Sequence, residues 1–247
     1  MKRPPFPFVF LVTCEHGGNR IPAAYRGWFR RHARLLATHR GYDPGALDMA
    51  RTLARTLRAP LIASTVSRLL IELNRSPTHR ALFSSVLHGA GPDVRARIYE
   101  HYYVPYRTEV ELFVSEAVAR GGRVLHVSSH SFTPALDGEV RNADIGLLYD
   151  PARRLESELC RSWQRTLIAR FPQWRVRRNY PYRGDADGLT SFLRRRFRDG
   201  VYAGVELEIN QKHVRAANAR WTGRRAGVAD ALVAAVDGLA ATASARR

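Results

Sequence analysis

The sequence is nearly without lysine and nearly without cysteine. Only Lys2 and Lys212 represent the first, and only Cys14 and Cys160 the second, in a chain of 247 residues. Two cysteines in unlike contexts support neither a disulfide framework nor a cysteine-based zinc site, so the expected setting is a reducing cytoplasm. Long apolar runs are missing as well. The longest, Phe6 to Cys14, is strand-sized and far short of the roughly 20 residues that a membrane span needs. The N-terminus opens like a basic signal segment, Met-Lys-Arg, but passes into prolines and then Glu15-His16 with no cleavage signal. There is no internal repeat, and the only biased stretch is an alanine-rich C-terminal segment ending Ser-Ala-Arg-Arg.

What is abundant is arginine, which takes the net charge to +18. Such a charge raises nucleic acid as a partner, because clustered cations neutralise phosphates and release counterions. The distribution argues against it, since the arginines are scattered as singlets and doublets with one triplet, Arg194-Arg195-Arg196. We therefore expect neither a nucleic-acid nor a membrane partner. At 45% hydrophobic and 10% aromatic residues, the chain has enough apolar material for one sizeable domain over 1–247.

Short β-branched or aromatic runs bounded by turn residues predict strands at 8–14, 60–66, 69–73, 123–129, 144–149, 174–179 and 201–209. Helical patterns fall between them at 43–58, 93–119, 152–171, 188–198 and 226–242. The first is expected to open with Asp43 as N-cap and Pro44 at N1. This alternation argues for an α/β fold whose mostly parallel or mixed sheet is covered on both faces. Ligands of such sheets bind beyond the carboxyl ends of the strands. Polar residues fall there: His16 after the first predicted strand, Asn74-Arg75 after the third, His130 after the fourth, and Glu208 at the end of the seventh.

These residues differ in what they suggest. His16 lies in Glu15-His-Gly-Gly-Asn19, where two glycines permit a close backbone approach; a turn or cap role is the alternative. His126 and His130 share a strand face about 13 Å apart, so both cannot ligate one ion. His130, at the strand end, is the candidate ligand, and His126 reads as a hydrogen-bonded core histidine. In Gly204-Val-Glu-Leu-Glu-Ile-Asn210, alternation puts Glu206 and Glu208 on one face of a strand that should be buried. Carboxylates there are costly unless paired or metal-bound. Glu208 is the preferred general base and Glu206 the reserve. Arg75 offers a planar fork suited to a carboxylate.

Five blocks carry a wider resemblance: Cys14-Glu-His-Gly-Gly-Asn-Arg-Ile-Pro22, Ser67-Arg-Leu-Leu-Ile-Glu-Leu-Asn-Arg75, His130-Ser-Phe-Thr-Pro134, Asn179-Tyr-Pro-Tyr-Arg-Gly184 and Glu206-Leu-Glu-Ile-Asn-Gln211. In content and order the sequence resembles the N-formylglutamate amidohydrolase family, itself similar to zinc carboxypeptidases and aspartoacylases. The resemblance implies a three-layer, carboxypeptidase-like hydrolase fold and one zinc ion. It also implies a metal-binding histidine motif, an Asn-Arg pair for the substrate carboxylate, a second metal histidine and a catalytic glutamate. On this chain those map to His16, Asn74 with Arg75, His130 and Glu208. The implied substrate is a small acidic N-acyl amino acid such as N-formylglutamate. Its second carboxylate, or the developing oxyanion, falls to Arg68, Arg141 or Arg183.

One departure stands out. The carboxypeptidase-type relatives place a glutamate ligand three residues after the first histidine, whereas this chain has Asn19 there, and a neutral amide is a poor zinc ligand. The third ligand is sought in Asp43, with Glu15 and Asn19 as the other choices. Asp43-Pro44 is equally what a helix start requires, so ligand and cap stand side by side at this point.

Overall fold

A computed structural model of the chain describes residues 8–214 and 218–245. Its strands are β1 (Val9–Cys14), β2 (Leu61–Ala63), β3 (Val124–Phe132), β4 (Ala135–Leu136), β5 (Glu139–Val140), β6 (Ile145–Leu148), β7 (Val176–Arg178) and β8 (Tyr202–Asn210). Its α-helices are α1 (Arg26–Phe29), α2 (Ala33–Leu36), α3 (Ala46–Leu57), α4 (Pro92–Ile98), α5 (Val104–Ala119), α6 (Arg154–Arg170), α7 (Leu189–Arg196) and α8 (Asn218–Ala245). Six strands form one sheet in the order β2-β1-β3-β8-β6-β7, with β4 and β5 as a separate hairpin. All sheet pairings are parallel except β6 against β8. The expected α/β, mostly parallel or mixed sheet is what forms.

Side chains alternate across this sheet and bury two cores, one per face. On one face Phe10, Val12, Leu125, Val127, Val205, Leu207 and Ile209 pack against α3, α6 and α8, with Trp163 fully buried among them. On the other, Leu11, Val124 and Tyr202 pack against α5 and α7 and against the apolar loop residues Leu69, Leu70, Ile71 and Leu73. That second face turns polar toward the carboxyl ends of the strands. His126 is buried there as expected, bonded to Thr13 Oγ1 at 2.8 Å and to the Tyr202 hydroxyl at 2.8 Å. Burial holds its pKa down at about 4, which keeps it neutral.

Two expectations are corrected. Residues 69–73 are not a strand. Their backbone is tied by turns and loop bonds, Leu70 N–H to Ser67 O at 2.9 Å and Glu72 N–H to Leu82 O at 2.9 Å, and their leucines fill the second core from a loop. A short apolar run does not by itself distinguish a strand from a buried loop. Second, Asp43 does not cap the helix at 43–58. The helix starts at Ala46 behind Gly45, which is left-handed at φ 79° and lies where a Cβ would strike the Val214 side chain. That offset releases the Asp43 carboxylate. The helix expected over 93–119 is present, running through α4, a π-helical stretch at Tyr99–Tyr103 and α5.

The arginine triplet is divided between interior and surface, with Arg195 and Arg196 exposed. Arg194 is buried, bonded through Nε to Glu156 Oε1 at 3.0 Å and through Nη2 to the Gly204 carbonyl at 2.8 Å.

Candidate functional site

The parallel register sets His130 on β3 directly beside Glu208 on β8. His16 lies two residues beyond the end of β1, in a turn fixed by Gly17 N–H to Ser64 O at 2.9 Å. Asp43 is brought to it by its own N–H, which donates to the His16 carbonyl at 2.9 Å. The three side chains converge. His16 Nδ1 is 3.2 Å from His130 Nδ1 and 3.3 Å from Asp43 Oδ2, and His130 Nδ1 is 2.9 Å from the same oxygen. All three residues are buried.

The outer nitrogens decide the tautomers. His16 Nε2 faces Glu72 Oε1, and His130 Nε2 faces Glu15 Oε2 at 3.1 Å and Ser128 Oγ at 2.8 Å. An ionised carboxylate only accepts, so each Nε2 carries a hydrogen, and in its neutral form each ring turns a Nδ1 lone pair inward. Two lone pairs and a carboxylate oxygen facing one point repel unless a positive charge sits among them. Four tetrahedral ligands with bonds of about 2.0–2.1 Å to zinc lie roughly 3.3 Å apart, close to the observed spacings. His–carboxylate pairs behind the rings are the usual support for metal-ligating histidines. The residues fit a metal ion.

The same demand for positive charge appears in the titration of the site. Burial works against protonating His130, but Asp43 and Glu15 outweigh it and hold its pKa well up. Burial and then Arg68 work against His16, and Glu72 with Asp43 still leave it raised. Burial opposes ionisation of Glu15, Asp43 and Glu72 too, yet their histidine and arginine partners keep all three carboxyls below the ordinary range.

Glu208 is different. It is 5% exposed and its Oε2 has no hydrogen-bond partner. Burial pushes its pKa up to about 8; His130 pulls against that, and Asp43 and Glu206 add to it. Glu206 accepts from the Thr190 hydroxyl at 2.8 Å. Both glutamates line a cavity of about 400 Å³ together with His16, Asp43, His130, Asn74, Arg75, Arg68 and Arg183.

The arginines of the sequence reading are differently placed. Arg68 donates through Nε to Glu72 at 2.8 Å and through Nη1 to Asp43 at 3.3 Å, so it braces the carboxylates. Arg75 donates to the Asp187 main-chain carbonyl, and Asn74 Oδ1 accepts from Leu189 N–H at 2.8 Å. Arg183 pairs with Asp185. Arg141 is outside the cavity lining, stacked on and bonded to Tyr182 at 3.0 Å. Asn19 is exposed, with its amide on the Leu36 carbonyl at 3.2 Å; it is not in the cluster. Glu15 stands behind His130 and is held by Ser128 and by the Tyr106 hydroxyl at 2.8 Å.

The sequence reading missed Glu72, Ser128 and Tyr106. Glu72 carried a readable signal, a carboxylate inside the apolar run 69–73, the same anomaly that singled out Glu206 and Glu208.

Comparison with known proteins identifies the family and the fold. The family model described as N-formylglutamate amidohydrolase matches residues 8–214. A crystal structure of a gene product from Agrobacterium tumefaciens superposes with a TM-score of 0.80 at 28% identity, over 95% of this chain and 92% of that one. The N-formylglutamate amidohydrolase from Ralstonia eutropha JMP134 superposes with a TM-score of 0.68 at 18% identity, over 96% and 94% of the two chains, a likeness of fold. No curated protein matches this chain.

The raised pKa values carry a stability signature. Groups whose folded pKa lies above the unfolded one stabilise at low pH and lose that contribution as pH rises through the folded value. His16, His130 and Glu208 share that sign. Chelator-stripped protein is expected to unfold at lower denaturant at pH 9 than at pH 7, and added zinc should erase the difference. A stripped protein equally stable at both would contradict the charge argument.

Proposed function

The chain belongs to the N-formylglutamate amidohydrolase family, and on that premise we propose that it hydrolyses the N-formyl amide of a small acidic amino acid, such as N-formylglutamate, using one zinc ion. The supporting observation is the meeting of His16, Asp43 and His130 beside an unpartnered Glu208 oxygen in one cavity. Those three side chains would hold the ion. When bound it supplies a Lewis acid that acidifies a water and polarises the scissile carbonyl.

Glu208 does the proton work. A carboxyl pushed up to about 8 by burial both takes and gives protons near neutrality, which is what a general acid–base needs. With an ion held by His16, Asp43 and His130, the ionised form of Glu208 would be favoured as the starting state. Glu208 takes a proton from the water as the water oxygen bonds to the acyl carbon. It then hands that proton to the amide nitrogen as the C–N bond breaks, releasing formate and the free amino acid. Glu206, engaged with Thr190, is the less available of the two.

Arg75 binds the α-carboxylate in this reading. Its bond to Asp187 goes to a main-chain carbonyl, so the guanidinium charge is not neutralised there and is left for a substrate carboxylate. Asn74 commits its acceptor end to Leu189 and keeps the donor end for the same group. Arg68, engaged with Glu72 and Asp43, orients the metal-site carboxylates.

Two outcomes follow. Glu208→Gln is expected to retain zinc while turnover of N-formylglutamate falls about 10²–10⁴-fold, measured by formate release. Retained turnover would transfer the role to Glu206 or elsewhere. Arg75→Ala is expected to raise KM by roughly 10–100-fold with a smaller change in kcat; an unchanged KM removes Arg75 from substrate binding.

A further inference from the structure

The three arginines that line the cavity are already occupied to different degrees. Arg68 is held by two buried carboxylates, Glu72 and Asp43. Pulling it away would strand buried charge. Arg75 is the remaining fixed cation. Arg183 alone has an exposed partner: its Nε and Nη2 meet Asp185 at 2.9 and 2.6 Å, and the two side chains are 78% and 34% exposed. Asp185 does not line the cavity, so the pair straddles its rim.

The backbone beneath this pair is fixed. Gly184 packs so closely on Tyr149 that a Cβ would collide with the main chain. Its N–H donates to Asn179 Oδ1 at 3.2 Å, and its carbonyl accepts from the buried Arg194. Arg183 therefore has an anchored neighbour and an exposed side chain that can change partner without moving the loop.

Resting on the hydrolase reading above, we propose that Arg183 and Asp185 form an exchangeable latch that selects substrates with a carboxylate in the side chain. The substrate carboxylate takes Arg183 from Asp185 once the α-carboxylate is seated at Arg75. Exposed ion pairs contribute little net stability, so the exchange is nearly balanced. What tips it is tethering: a carboxylate already held at Arg75 presents its second one at high effective concentration. Free monoanions lack that advantage, and Asp185 keeps them off Arg183, so discrimination comes from the competing acid as well as from the arginine.

The test uses metal-loaded protein and the amino acid products, so that it does not depend on turnover. Calorimetric affinities for L-glutamate and L-glutamine would be compared in wild type, Arg183→Gln and Asp185→Asn. Wild type should favour glutamate roughly tenfold, as expected for one additional charge-assisted contact. Arg183→Gln should bring the ratio toward one, and Asp185→Asn should strengthen glutamate binding several-fold while affecting glutamine less. Equal affinities in wild type, a preference that survives Arg183→Gln, or no gain in Asp185→Asn would overturn the latch. Absence of N-formylglutamate hydrolysis with an Arg183-dependent preference intact would refute the enzymatic reading alone. Hydrolysis with an Arg183-independent preference would refute the latch alone.

Discussion

Two imidazole Nδ1 atoms and a carboxylate oxygen face one another at 2.9–3.3 Å in a buried place. With both rings neutral that arrangement is repulsive, so it requires positive charge, and much of the surrounding structure reads as its support. Glu72 and Glu15 fix the tautomers from behind, Arg68 ties Glu72 to Asp43, and Ser128 and Tyr106 hold Glu15 in place. The end of the π-helical stretch and the start of α5 serve the same end. Tyr103 and Arg107 donate to the Arg75 carbonyl, and Arg107 also to that of Leu73, so the loop carrying Glu72 is pinned by the helix next to it.

The sheet supplies the rest by register. Because β3 and β8 run parallel, His130 and Glu208 stand abreast, and a metal ligand and a proton-handling group come from neighbouring rigid strands. The antiparallel β6 then lies beside β8. At Gly146 a Cβ would strike the Tyr180 carbonyl and sit 3.2 Å from the Glu208 Cβ, so the absence of a side chain lets the segment that follows β7 close over the glutamate. That segment carries Tyr182, Arg183 and Asp187 to the cavity. Arg194, a member of the conspicuous basic triplet, supports it from beneath.

What the sequence revealed was periodic or terminal. Alternation in 204–210 exposed the two glutamates, and apolar runs ending in polar residues marked His16, His130 and the Asn74-Arg75 pair. The misreadings have one physical origin, the ambiguity of local signals that tertiary contacts resolve. Asp43-Pro44 imitates a helix start, and only the left-handed Gly45 against Val214 moves the start to Ala46. Leu69–Leu73 imitates a strand, and only its bonds to Ser67 and Leu82 make it a loop. The partners of the histidines were not legible, since Glu72 lies 56 residues from His16. Burial says that a carboxylate must be compensated, but not by whom.

In the proposed site His16, Asp43 and His130 jointly hold one divalent ion. The decisive experiment is metal analysis of protein purified without a histidine tag, alongside Asp43→Ala. About one zinc per chain in the parent and near-complete loss in Asp43→Ala is the predicted result. A parent that retains no metal after loading and desalting, or an Asp43→Ala variant that retains it fully, would contradict the account.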